Sequence, residues 1–229
     1  MIKKIFIYTL FLSLLGCATS CTDDDDIEYP YGGYDYVDLG LPSGIKWATM
    51  NLGATKPIEV GNYYSWGEIK PKAQYDFSDY QYCAEINEAG GIKTLSKYGT
   101  SGKYGVSDQK TQLESCDDVA TQLWGNGWRM PTLEELNELL EYCEIQFGVV
   151  NGKQGTTFIG PNGTSIFLPL TGTRFQGTLE YEMRGYYWSS TLDETDDKCA
   201  KGLFLSAKFN MIGNMFTRCS GRCIRPVHK

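Results

Sequence analysis

Two stretches of this chain repeat their apolar residues at helical spacing, and most of the remainder alternates or clusters them as strands do. In "PTLEELNELLEYC", Leu133, Leu136, Leu140 and Cys143 fall near one helical face, while Thr132 and Glu135, three positions apart, form the pattern of a capping box. Glu134 and Glu135 also suit the positive end of a helix, so they read as caps and not as catalytic groups. An earlier helix is expected over 109–124, where Leu113, Cys116, Ala120, Leu123 and Trp124 share a face and Gly125 supplies a stop. Ahead of it, short strands are expected at 36–39 and 45–50, joined by a Pro-Ser-Gly turn at 42–44, and again in "VGNYYSWGE". Residues 70–106 are polar, Gly-rich and Tyr-rich without a clear period; they read as a long loop that Cys83 would pin.

After Gly148 the pattern belongs to strands. Asn151-Gly152 is a turn, and "FIGPNGTSIFL" sets two apolar runs around a second one. "GYYWSS", "LFLSAKF" and "RCIRPV" add further strands. In "KGLFLSAKFN", alternation assigns Leu203, Leu205, Ala207 and Phe209 to the core and Phe204, Ser206, Lys208 and Asn210 to a face that can meet a partner. No repeat of solenoid type is visible.

The first residues change the picture from a plain domain to an exported one. Lys3 and Lys4 precede an apolar run over 5–15 that is short for a membrane span and is followed by small residues and a cysteine. This is the pattern of a lipoprotein signal over 1–20, with Cys21 as the lipidated residue and Cys17 as the alternative. "LLG" before Cys17 suits the processing enzyme; removal up to Cys21 leaves an even six cysteines, Cys83, Cys116, Cys143, Cys199, Cys219 and Cys223, as suits an exported protein with disulfides. Thr22 and the run Asp23 to Asp26 resemble the acidic tag that directs lipoproteins of Bacteroides-like bacteria to the outer face of the outer membrane. Residues 21–33 then form an acidic tether and 34–229 one domain, attached to the membrane through lipid.

Charge and chemistry exclude more than they identify. The net charge of −7, without a basic cluster, argues against nucleic acid. The single histidine, His228, stands next to the last residue, which predicts no Ser-His or Cys-His pair in an ordered interior and no histidine-based zinc site. Carboxylates are plentiful, but no pair is singled out, and no Gly-rich phosphate loop precedes a helix. No metal and no cofactor are implied. The tryptophans 47, 66, 124, 128 and 188 read as framework, whereas Tyr63, Tyr64, Tyr75, Tyr80 and Tyr82 suit either packing or recognition. Arg174, Arg184 and Arg225 read equally as ion-pair donors or ligand contacts.

Six blocks in order, "VDLGLPSGIKWATMNLGA", "YYSWGEIKPK", "DDVATQLWGNGWRMPTLEEL", "GPNGTSIFLPLTGTR", "GYYWSST" and "RCIRPV", resemble the Fibrobacter succinogenes major paralogous domain of Bacteroides-type surface lipoproteins. The likeness runs over about 37–227. It implies an α+β chain of the C-type lectin-like fold, also used by formylglycine-generating enzymes, with two helices followed by a twisted antiparallel sheet and long loops. The catalytic cysteine arrangement of those enzymes has no match here, and neither do the calcium motifs of C-type lectins. The blocks "YYWSST" and "RCIRPV" also frame 192–218 as in variable proteins of diversity-generating retroelements, although the Asn, Tyr and Ser density of such segments is missing. By analogy with lectin-like folds, the resemblance implies the disulfides Cys116–Cys223, Cys199–Cys219 and Cys83–Cys143.

The expectation is therefore a surface lipoprotein that binds a protein or glycan through its late strands and loops, without catalysis. Phe204, Ser206, Lys208, Asn210, Asn214 and Arg218, with Tyr63 and Tyr64, are the candidate contacts. The alternatives are a carbohydrate-active or modifying enzyme, which needs a deep pocket with facing carboxylates, and an envelope or fimbria-associated subunit, which needs an open sheet edge.

Overall fold

The computed structural model describes residues 34–229; the segments expected as export signal and tether, with Cys17 and Cys21, lie outside the described residues. Its first elements are the expected hairpin, β1 (Tyr36–Asp38) and β2 (Lys46–Ala48), paired antiparallel. The last strand, β13 (Val227–His228), closes onto the other edge of β2, so Trp47 pairs with both Val37 and Val227. His228 is thus held in an ordered interior, contrary to expectation, with Nε2 2.7 Å from the Asn126 carbonyl oxygen.

The region 70–106 is not structureless. Asp76 caps a single 3-10 turn at Phe77–Asp79, and β3 (Cys83–Ile86) pairs with β4 (Ile92–Leu95). Its tyrosines hold it down: Tyr75, Tyr80, Tyr82 and Tyr98 are buried, with Tyr80 donating to the Trp66 carbonyl. "VGNYYSWGE", expected as a strand, makes only an isolated bridge between Tyr64 and Arg222.

The first helix, α1 (Val119–Trp124), is much shorter than its apolar spacing predicts. Asp118 takes the N-cap, its carboxylate accepting from the Thr121 and Met130 amides, and so fixes the start ten residues late. The preceding segment pairs with the late sheet instead, through Leu113 N to Ser190 O and Leu192 N to Thr111 O. Leu123 and Cys116 are accordingly exposed. The second helix, α2 (Leu133–Tyr142), carries the complete capping box of Thr132 and Glu135, and buries Leu136 and Leu139. Leu140 and Cys143 are only partly buried. At Cys143 the backbone turns extended, and the chain enters β5 (Glu144–Val150), a strand hidden in the sequence behind the helical pattern.

β5, β6 (Lys153–Ile159) and β7 (Ser165–Pro169) form an antiparallel sheet through the two predicted turns. β8 (Thr173–Phe175) and β9 (Thr178–Glu180) make a small hairpin. β10 (Gly185–Leu192), β11 (Cys199–Leu205) and β12 (Met211–Thr217) form the late sheet, in register Tyr186 with Phe204 with Met211. "RCIRPV" contributes only bridges and the start of β13. The molecule is therefore α+β, with two helices ahead of most of the sheet and several small antiparallel sheets. Among the described residues, no helix is long and apolar enough to cross a membrane.

Two apolar clusters join these sheets. One gathers Trp66, Trp124, Trp128 and Trp188 with the loop tyrosines; the other gathers Trp47, α2 and the inward faces of β6, β7 and β11. All five tryptophans are framework. The expected disulfides are absent: the six described cysteines carry free thiols. Cys116 is exposed with Sγ 3.4 Å from the Asp117 carboxylate, whereas Cys223 is sealed in the second cluster. Burial raises the Cys199 thiol to about 11 and that of Cys219 to about 12.

Candidate binding surface

Two turns project large apolar side chains from the end of the late sheet. The β11–β12 turn is closed by its own polar groups: Ser206 Oγ accepts from the Lys208 and Phe209 amides and donates to the Phe209 carbonyl at 2.7 Å, while Asn210 Oδ1 accepts from the Ser206 amide. β11 consequently stops at Leu205, and Ala207 and Phe209, expected in the core, are exposed. The Phe209 ring stacks on Phe204, with centroids 5.5 Å apart. The second turn is closed by the Arg184 amide donating to the Tyr181 carbonyl, with Tyr181 in the left-handed region at φ 53°. It sets Tyr181 and Met183 outward, 57% and 65% exposed.

Arg184 joins the turns, its guanidinium lying 5.2 Å from the Tyr181 ring centre and 5.8 Å from that of Phe204. Met211 stands opposite Phe204 in the sheet, and Tyr186 packs edge-on against Phe204. Below them, Gly202 and Gly213 face each other, leaving room for the Phe216 ring; a Cβ on Gly213 would come within 2.1 Å of it. A depression of about 330 Å³ lies between Met183, Arg184, Phe204, Lys208 and Phe209. Met183 also borders a second depression of about 410 Å³, with Tyr63, Lys153, Leu179 and Glu182 on its wall. The result is a continuous, shallow surface of aromatic, thioether and cationic groups.

The expected contacts divide. Phe204 and Lys208 are on this surface, and Tyr63 reaches its edge with its hydroxyl bonded to the Thr171 carbonyl. Ser206 and Asn210 are used by the turn itself. Asn214 belongs to β12, and its side chain lies outside the described residues. Tyr64 and Arg218 are corrected: both are buried, Arg218 at 0% exposure, and neither reaches a surface. Tyr75, Tyr80 and Tyr82 are packing residues as well. Of the arginines, Arg225 is structural, bonding Asn51 and the carbonyls of Ala48, Thr49 and Phe167, while Arg174 lies 5.0 Å over the Tyr63 ring. Tyr181, Met183, Leu179 and Met211 escape sequence reasoning. For the first three the signal was large apolar side chains in "TLEYEMRG", a turn-length stretch otherwise made of charged and polar residues.

Elsewhere, carboxylates meet in ways that tie them down. A depression of about 480 Å³ holds Glu68 and Asp79, with Lys72 Nζ 2.8 Å from the first and 3.9 Å from the second. The group Glu114, Cys116 and Asp117 has the spacing of a metal site, but the Lys97 ammonium sits 2.5 Å from Asp117 and pairs with Glu114 too. That cation occupies the position of charge compensation. No protein-family model, curated protein or solved structure matches this chain.

Proposed function

We propose that the protein is a lipid-anchored binding module of the C-type lectin-like kind, displayed on the outer face of the outer membrane, and that its ligand is a protein. The observation that carries this reading is the concentration of exposed apolar groups at one place: Leu179, Tyr181, Met183, Phe209 and Met211, bridged by Arg184. Contiguous exposed apolar surface marks interaction sites, and aromatic, Met and Arg side chains are those enriched in protein interfaces. Two of the polar groups expected to meet a sugar, Ser206 and Asn210, are instead bonded within their turn, which leaves the exposed apolar side chains as the main feature of the surface. The lectin-like fold is supported by the order of elements, two helices followed by the twisted late sheet with its projecting turns. The membrane placement rests on the lipoprotein signal and the acidic run after Cys21.

The test is affinity capture from surface-protein extracts of neighbouring cells, beside a glycan array, with wild type and the double variant Tyr181→Ser, Phe209→Ser. Both side chains are exposed, so the variant keeps its unfolding temperature within a few degrees. A protein captured by wild type and lost by the variant supports the reading. Capture unchanged by the substitutions, or a glycan bound with no protein captured, sinks it.

A further inference from the structure

The outer edge of β5 carries a second surface, which meets the aromatic patch only at the β5–β6 turn, where Lys153 lines the larger depression. In the order β5-β6-β7, β5 is an edge strand of seven residues, and among the described residues none bonds to its free side. Its pairing with β6 runs unbroken from Glu144 opposite Ile159 to Val150 opposite Lys153, with no bulge. The strand, Glu-Ile-Gln-Phe-Gly-Val-Val, has no Pro or Lys and its one charge, Glu144, stands at its first position, so the rest of the edge is not blunted.

The turn fixes which groups face outward. Asn151 and Gly152 are both at positive φ, 47° and 80°, as in a two-residue type I′ hairpin, whose closing pair Val150 and Lys153 exchange hydrogen bonds. Alternation then directs Gly148, Gln146 and Glu144 toward β6, and the N–H and C=O of Ile145, Phe147 and Val149 toward solvent. The Gln154 carbonyl, opposite Val149, accordingly accepts from Leu170 on the β7 side. The same three residues share the core-facing side of the sheet with Phe158 and Ile166, yet Phe147 is 37% and Val149 62% exposed. The core runs out before the strand does.

We infer that this edge pairs with β5 of a second copy of the chain, antiparallel and centred on Phe147, to give a continuous six-stranded sheet. The argument for a second copy is self-complementarity. Centring on Phe147 places Ile145 opposite the partner's Val149, and Val149 opposite the partner's Ile145. These are the residues with outward backbone groups, so each pair exchanges two hydrogen bonds, and the exposed apolar side chains cover one another on the inner face. Glu144 falls opposite the partner's Val150, with the partner's Lys153 next in the row, so no like charges meet. A one-residue slip would turn hydrogen-bonding groups away from each other.

Sedimentation of the full chain in detergent, with amide exchange followed residue by residue by NMR, tests this. The expected result is a monomer–dimer equilibrium in which Gln146, Gly148 and Val150 are protected at every concentration, but Ile145, Phe147 and Val149 gain protection only as dimer forms. Val149→Lys, harmless on a solvated edge, weakens dimerisation by about tenfold or more, because the ammonium loses water without gaining a partner. A chain that stays monomeric at sub-millimolar concentration overturns the inference. So does a dimer whose three outer amides still exchange freely, or an edge protected only when another protein is added. If Val149→Lys does not fold, the exchange pattern of the wild type decides alone.

Discussion

Arg218 and Arg222 both lie in the segment leaving β12, and both are buried, yet their surroundings differ in kind. Arg218 uses all three of its nitrogens: Nε donates to the Tyr80 hydroxyl, one terminal nitrogen to the carbonyls of Tyr98 and Asp197, the other to that of Lys97. It thereby ties the early tyrosine-rich segment to the late sheet. Arg222 lies 3.7 Å over the Phe216 ring and 4.7 Å from that of Trp188, while its Nε and one terminal nitrogen make no hydrogen bond. Burial lowers its pKa to about 9. Arg218→Met should therefore cost about 3 kcal/mol or more, because several buried acceptors are orphaned together. Arg222→Met should cost under about 1 kcal/mol or stabilise, since an apolar chain of similar volume suits the aromatic cage. Urea unfolding midpoints at constant m-value separate the two; equal losses would contradict the contrast. In sequence these arginines look alike, which is why Arg218 reads as a surface contact.

Helix α2 shows what an element owes to its first turn. Thr132 Oγ1 accepts from the Glu135 amide, and the Glu135 carboxylate accepts from the Thr132 amide and from both terminal nitrogens of Arg129. Thr132→Ala removes one acceptor and is expected to cost about 1 kcal/mol. Glu135→Ala should cost more, because Arg129, half-buried, loses its carboxylate at the same time. Thermal unfolding of the pair gives the order, and a Thr132 variant worse than the Glu135 variant would refute it. This helix was legible because a capping box is a local signal that names its own start. The first helix was legible only in its second half, where Asp118 overrides the apolar spacing before it. β5 was illegible because the leucine repeat runs into Cys143 and its own alternation begins only there. The candidate surface was half legible: alternation placed Phe204 outward, but it assumed that β11 continues, and the Ser206–Asn210 turn throws Phe209 to the same side instead.

At the scale of the molecule, the buried Asp197 carboxylate joins distant segments, and the half-buried Asp108 closes a local loop. Asp197 accepts from the amides and hydroxyls of Thr100 and Ser101, and Asp108 from the amides of Tyr98, Gly99 and Lys110. For Asp197, burial alone would raise the carboxyl pKa; the Ser101 and Thr100 bonds outweigh it and hold it below the usual range. Asp108 is held low likewise, with burial opposed by the three amides. A carboxyl whose folded-state pKa lies below its unfolded value of about 4 contributes stability above that pH and loses it as pH falls through the folded value. Asp118, raised by burial, acts in the opposite sense and softens the slope. Unfolding free energy should therefore be level between about pH 5 and 8, decline below about pH 4, and decline again in alkali, where the unfolded chain ionises the thiols of Cys199 and Cys219 that burial keeps protonated. Asp197→Asn should be less stable than wild type at neutral pH, with the gap closing on acidification; a gap independent of pH would show that the charge is not what matters.

The pairing of β2 with β13 has a consequence for how the molecule is made. Residues 46–48 are among the first of the domain to leave the ribosome, but their partners are Val227 and His228. Until synthesis reaches that point, Trp47 has one neighbour where it needs two, and the second apolar cluster lacks Val227. A nascent chain is thus kept from locking early, and stays open until Val227 and His228 clasp it shut.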